Sequence, residues 1–133
     1  DGLIPVICVG ETLEERRAGR VDEVILRQLA AAEQALKGGE GRFLVAYEPV
    51  WAIGTGETAT PEDAAAAHAT LRAELESTIG IAAALRTPLL YGGSVNAANA
   101  ADLLAAAEVD GVLVGGASLD AMSFTGIAAA GAG

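Results

Sequence analysis

Short apolar runs alternate four times with longer, alanine-rich stretches along the chain. The runs are Ile4 to Val9, Phe43 to Tyr47, Pro88 to Tyr91 and Gly111 to Val114. Each is continuously apolar rather than strictly alternating, as expected of parallel strands covered on both faces. Turn residues and then a helical stretch follow each run. The first helical stretch spans about Leu13 to Leu36, is broken near Gly19, and carries Val21, Val24, Ile25 and Leu29 at helical spacing; Gly38, Gly39 and Gly41 stop it. The second opens on a cap, with Thr60 at the N-cap, Pro61 at the first helical position and Glu62 and Asp63 in the first turn, where the macrodipole favours negative charge. It is predicted to reach about Thr78. A third helix follows Asn96 and buries Leu103 and Leu104, and a last one covers roughly Ser123 to Ala130 before a frayed Gly131-Ala132-Gly133.

Strands that return through helices make right-handed βαβ crossovers. A closed eight-stranded barrel takes about 250 residues, and this chain has 133. The expected fold is therefore α/β and a single domain over residues 1–133, either half of a barrel or an open four-stranded sheet. Much of the apolar content is alanine, with two Phe, two Tyr and one Trp, so each core position removes little area from water and the fold is expected to be marginally stable. The chain opens on Asp1 and its one methionine is Met122, which reads as a piece excised from a longer protein.

A formal charge of −10, with eight scattered Lys and Arg residues, argues against a nucleic-acid surface. Any anionic ligand must then be held by local donors. No apolar run has the length of a membrane span and no basic-then-apolar leader is visible, so no membrane partner is expected and a cytoplasmic protein is. The single cysteine, Cys8, excludes an internal disulfide and a cysteine-based zinc cluster, fits a reducing compartment, and is expected as a small buried hydrophobe at a strand end.

In parallel α/β folds ligands sit at the carboxyl ends of the strands. The residues there are Gly10-Glu11, Glu48 with its loop, Gly92-Gly93-Ser94 and Gly115-Gly116-Ala117-Ser118. Two glycine pairs on consecutive strands free backbone amides to face an anion, a sensible way for a negative chain to bind phosphate. Taken alone, Gly92-Gly93 is equally a tight strand-to-helix turn, and Ser94 is either a hydroxyl donor or a turn serine. Glu48 stands between a buried strand and a Pro- and Gly-bearing loop with Trp51, the position of a general base beneath a lid, although a surface acid at a loop start is the plainer alternative. Trp51 itself is read as a ring that anchors the loop stem. His68 falls inside the second helix, solvated or interhelical rather than catalytic. Lys37, the one lysine, precedes a strand and so belongs at the opposite end of the fold. Arg16 can reach back to pair with Glu11.

Four segments together resemble the triose-phosphate isomerase family: Cys8-Val9-Gly10-Glu11, the run Ala46 to Gly56, Tyr91-Gly92-Gly93-Ser94-Val95, and Leu113-Val114-Gly115-Gly116-Ala117-Ser118-Leu119. Their order and spacing are similar to the family's carboxyl-terminal half, strands five to eight, over essentially the whole chain. The resemblance implies the (βα)4 half of a TIM (β/α)8 barrel. It implies that Glu48 is the base that interconverts dihydroxyacetone phosphate and D-glyceraldehyde 3-phosphate through an enediolate, with no metal or organic cofactor. The lid would be Pro49-Val50-Trp51-Ala52-Ile53-Gly54-Thr55-Gly56-Glu57-Thr58-Ala59, with Gly54 closing on the phosphate and Ser94, Gly115 and Gly116 donating to it. Glu57 departs from the lysine that many members carry there.

The family's substrate-gripping lysine and electrophilic histidine belong to its other half, and Lys37 and His68 do not match those motifs. A base without a preorganised electrophile lacks the term that usually dominates oxyanion stabilisation, so this half alone is expected to be nearly inactive. The expected ligand is a triose phosphate or inorganic phosphate, and the expected partner a second copy or an amino-terminal half-barrel. A non-catalytic, self-associating or complementing half-barrel module is the alternative, because cut strand edges drive association. An unrelated phosphate-binding βα enzyme leaves the Glu48 loop unexplained.

Overall fold

The computed structural model describes residues 2–36 and 42–132; Lys37 and the glycines expected to stop the first helical stretch lie outside the described residues. Among these residues four strands, β1 (Val6–Val9), β2 (Leu44–Tyr47), β3 (Leu89–Tyr91) and β4 (Gly111–Val112), pair in parallel in the order β1-β2-β3-β4. The register sets Val9 beside Tyr47 and Tyr47 beside Tyr91, so three strand ends stop at one level. Sequential order with right-handed crossovers carries the helices over one face of the sheet. The result is a parallel α/β sheet consistent with half of a TIM barrel, not a doubly wound sheet with helices on both faces.

The strands are shorter than their apolar runs for local reasons. Pro5 and Pro88 have no N–H to give to a ladder, yet their carbonyls accept the amides of Leu44 (3.0 Å) and Val45 (3.1 Å). At the far edge, the Tyr91 carbonyl takes the Leu113 amide at 2.8 Å. That is the last rung, and Val114 lies past it.

Among the described residues six helices connect or flank the strands: α1 (Leu13–Arg17), α2 (Val21–Leu36), α3 (Pro61–Ile79), α4 (Ile81–Leu85), α5 (Ala100–Ala105) and α6 (Ala121–Gly131). The break expected near Gly19 separates α1 from α2. Thr12 and Glu15 form a capping box that starts α1. Thr60 and Asp63 do the same for α3, with Pro61 at the first helical position. The short α4 was not expected; Gly80 ends α3 and at once begins it. Helix α6 starts two residues earlier than the sequence suggested, because the Asp120 carboxylate accepts the Ser123 amide at 2.8 Å.

The core lies between the sheet and its helices, built from Val45, Tyr47, Leu89 and Tyr91 against Ile25 and Leu29 of α2, Leu71 and Leu75 of α3, and Leu103 of α5. A buried guanidinium closes the amino-terminal end of this layer. Arg72 of α3 bonds the Glu108 carboxylate at 2.9 Å, Asp110 at 2.6 Å, the Thr87 carbonyl at 2.7 Å and the Ala84 carbonyl.

One expectation is corrected and one is narrowed. Cys8 is exposed rather than buried, because residues alternate along β1 and it shares the outward face with Val6 while Val9 turns in. His68 is not solvated: it is wholly buried, its Nδ1 lies 2.9 Å from the Glu108 carbonyl, and its ring meets Tyr47 edge-on at 6.0 Å. Alanines at its neighbouring positions leave the ring free to pack inward. Burial pushes its pKa down from the ordinary value. Among the described residues no helix is long and apolar enough to cross a membrane.

Candidate active site

Glu48 follows β2 directly, and its amide still belongs to the ladder, donating to the Val9 carbonyl at 2.7 Å. A rigid sheet therefore fixes where its side chain leaves the backbone. The neighbouring strand end comes unusually close: a Cβ on Gly10 would stand 1.8 Å from the Glu48 carbonyl oxygen. Gln28 of α2 grips Gly10 from behind, accepting its amide at 2.8 Å and donating to its carbonyl at 3.2 Å. Near this end of β1, partial burial and then the Glu48 carboxylate raise the pKa of the Cys8 thiol.

The segment from Pro49 to Ala59 leaves the sheet and returns to α3, held at both stems and open between them. At the first stem, Val50 donates its amide to the Glu11 carbonyl at 2.9 Å, and residues Val50–Ala52 make one 3-10 turn. The Glu11 carboxylate is wholly buried and accepts from Tyr47 Oη at 2.5 Å and from Trp51 Nε1 at 3.1 Å. Arg16 approaches the same carboxylate at 3.5 Å, bonds Asp63 at 2.8 Å, and lies over the Trp51 ring at 5.2 Å. Burial, and then the Glu11 carboxylate as acceptor, push the Tyr47 hydroxyl well above its ordinary pKa, so it stays a donor. Trp51 does anchor the stem, through its N–H and a half-buried ring.

At the second stem, Tyr91 Oη accepts the Ala59 amide at 2.8 Å and pairs with Thr58 Oγ1 at 2.9 Å. Space for that hydroxyl exists because residue 93 is glycine: a Cβ there would stand 2.0 Å from Tyr91 Oη. Between the stems Ile53, Gly54, Thr55, Gly56 and Glu57 are exposed. They are organised by the Thr55 hydroxyl, which donates to the Trp51 carbonyl at 2.8 Å and accepts the Glu57 amide at 3.2 Å.

A cleft of about 350 Å³ opens at the carboxyl ends of β2, β3 and β4, within the range of small-molecule sites. Glu48, Gly54, Ser94, Gly115 and Gly116 all line it, together with Ile53 and Gly56 from the loop tip. The two glycine pairs differ in what they offer. Gly92 spends its amide on the Tyr47 carbonyl at 2.8 Å, so it is not a free anion donor as the sequence suggested. Gly116 opens the 3-10 turn Gly116–Leu119, and Gly115 accepts both the amide (2.9 Å) and the hydroxyl (2.6 Å) of Ser118. Ser94 donates its hydroxyl to the Ala52 carbonyl at 2.7 Å, tying the first stem to the strand that faces it. A ligand that takes a hydrogen bond from Ser94 must first draw that proton away from the loop.

Glu11, Tyr47 and Tyr91 were not singled out as site residues from the sequence, although Glu11 was placed at a strand end. A signal existed. Both tyrosines are the last residues of their strands, and a polar-tipped ring at that position in a buried layer needs a partner for its hydroxyl.

Consecutive parallel strands, with a carboxylate, a two-stemmed loop and a glycine-rich cleft at their carboxyl ends, define an α/β protein of the barrel type. The triosephosphate isomerase family model matches residues 1–131, and the chain belongs to that family. Triosephosphate isomerases of Delftia acidovorans and Paracidovorax citrulli are each 57% identical to it, over 129 and 131 residues; the matched stretch covers 97% and 98% of this chain and 51% of each relative. The Acidiphilium cryptum protein of the same name is 53% identical over 137 residues, covering 98% of this chain and 54% of that protein. The chain spans about half the length of the curated relatives it matches.

Proposed function

We propose that the chain is the carboxyl-terminal (βα)4 half of a cytoplasmic triose-phosphate isomerase, with Glu48 as the base of the triose-phosphate interconversion. The observation that carries the reading is the placement of Glu48: a glutamate whose backbone is held by a sheet rung, lining a cleft whose other walls are an amide-bearing loop tip and the Gly115-Gly116 turn. In this reading Glu48 takes a proton from carbon 1 of dihydroxyacetone phosphate and returns it to carbon 2 of the enediolate. The Pro49 to Ala59 segment closes over the substrate, so that Gly54 reaches the phosphate from above while Ser94, Gly115 and Gly116 hold it from the sheet side. Triose-phosphate isomerase is itself a type example of a glutamate base under a closing loop.

These 133 residues on their own are proposed to be nearly inactive. His68, buried against the Glu108 carbonyl, does not line the cleft and cannot polarise a substrate carbonyl there. A second reading, a half-barrel that associates with another copy or with an amino-terminal half, is favoured by one feature: Leu3, Ile4 and Val6 leave apolar side chains exposed along the β1 edge.

A coupled isomerase assay of the purified chain, with and without a separately made amino-terminal half, tests both readings. Activity that appears only on addition and vanishes in Glu48→Gln supports the half-enzyme. Activity of the chain alone refutes the inactivity argument, and full activity of Glu48→Gln after addition refutes the role of Glu48.

A further inference from the structure

The Glu48 side chain lies directly on the backbone of β3's last turn. A Cβ built on Gly92 would meet three atoms of Glu48 and nothing nearer: Cγ at 2.4 Å, Oε1 at 2.9 Å and the carboxyl carbon at 3.1 Å. All three contacts are shorter than an ordinary van der Waals separation, the first two by enough that something must shift, and all belong to the one side chain whose position the proposed chemistry depends on. The Gly92 backbone cannot retreat to make room. Its amide is committed to the Tyr47 carbonyl at 2.8 Å, and one residue earlier the Tyr91 carbonyl is committed to the Leu113 amide at 2.8 Å. Nor can the Glu48 backbone move away, since its amide is bound to Val9 at 2.7 Å and its carbonyl is hemmed in by Gly10.

We infer that Gly92 is a positioning residue for Glu48: the absent side chain forms a flat seat, flanked by sheet rungs, on which the carboxylate rests at the floor of the cleft. This rests on the reading of Glu48 as the base, and it gives the first glycine of the pair a steric role. Any side chain at 92 must lift the Glu48 carboxylate from its place, while the sheet beneath stays as it is. Placement errors of about 1 Å at a reacting group cost on the order of a hundredfold in rate.

The test has a structural and a kinetic arm. In urea melts of this chain, Gly92→Ala is expected to lower the midpoint when Glu48 is present and to leave it unchanged in a Glu48→Ala background, where the obstructing atoms are gone. If Gly92→Ala fails to fold, Glu48→Ala/Gly92→Ala is expected to restore folding. An equal loss in both backgrounds, no loss in either, or a double variant that also fails to fold overturns the inference. In the isomerase assay with an amino-terminal half added, Gly92→Ala is expected to lower kcat by about tenfold or more with KM little changed. Glu48→Gln inactive while Gly92→Ala keeps the parent kcat and pH profile overturns the positioning role. Glu48→Gln fully active overturns the base reading and the kinetic part with it, and the urea cycle still decides whether the seat exists.

Discussion

Replacing Glu11 with leucine removes the acceptor on which the first loop stem is built while keeping most of the side chain's volume. Tyr47 is wholly buried and loses its partner at 2.5 Å; a buried hydroxyl left without an acceptor costs about 1–3 kcal/mol. Trp51 loses a 3.1 Å acceptor, but its ring is half-buried and water can replace it, so the added cost is about 0.5–1 kcal/mol. Arg16 keeps Asp63 at 2.8 Å, and its side chain is 23% exposed, so its share is about 0–1 kcal/mol. Against these, taking a carboxylate out of the interior relieves its desolvation. The net expectation is a loss of about 2–3 kcal/mol, a large part of the roughly 5–15 kcal/mol that holds a domain together.

Trp51 is the one tryptophan in the chain, so its emission reports on this stem alone. Urea titrations followed by Trp51 fluorescence and by far-UV circular dichroism are expected to coincide in the parent chain. In Glu11→Leu both should shift to lower urea, with the fluorescence change leading, because the stem detaches before the sheet opens. Tyr47→Phe supplies the control: with the hydroxyl gone, Glu11→Leu should cost at least about 1 kcal/mol less than in the parent, since the orphaned donor was the largest part of its effect. A shift below about 0.5 kcal/mol, unchanged Trp51 emission, or strict additivity with Tyr47→Phe refutes the reasoning.

Burial holds His68 neutral in the folded chain, so the unfolded chain binds the extra proton. Stability is therefore complete above the ordinary histidine value of 6.5 and falls as pH drops below it, by up to about 1.4 kcal/mol per unit for one proton, and His68→Gln should flatten that part of a urea-midpoint profile. Arg72→Leu strands the Ala84 and Thr87 carbonyls and unpairs Glu108 and Asp110; because the two acids are partly exposed, the expected loss is about 3 kcal/mol, read from the urea midpoint. Gly54 and Gly56 hold φ of +67° and +80° with open space where a Cβ would go, so alanine at either costs about 1 kcal/mol of backbone strain alone, and amide exchange should quicken across residues 53–57 while the sheet's urea midpoint moves little.

The fold was legible because two periodicities coexist in the chain and punctuation separates them. Continuous apolar runs gave the strands, and Thr60-Pro61 gave the start of α3 almost to the residue. What was lost was set by chain partners rather than by the runs: Val114 looks like strand, but β3 stops at Tyr91 and offers it no rung. The segment Ile81–Leu85 is five residues long and largely alanine, with too little pattern to separate it from the end of α3. Cys8 was misread, and His68 was left open between a solvated and an interhelical place, for the same reason. Which face a residue takes is decided by register against neighbours, and a single apolar or polar letter carries no register.

The cleft was legible at its rim, because chemistry at a carboxyl end leaves Glu48, Ser94 and glycine pairs in the sequence. Its support was not, because Glu11, Tyr47 and Tyr91 are spread over 80 positions and meet through the fold. Their arrangement has a functional consequence. Both loop stems are tied to side chains at the ends of the buried strands β2 and β3 or to a buried carboxylate beside them, so the stems share the stability of the core. The tip, by contrast, is held by the Thr55 hydroxyl and by a long bond from the Ile53 amide to the Val50 carbonyl (3.3 Å), and lies in solvent. The least restrained part of the loop is thus its tip, whose Ile53, Gly54 and Gly56 line the cleft beside a glutamate whose backbone the sheet holds. The closing motion proposed above would then bend the tip without drawing on the sheet that holds the Glu48 backbone.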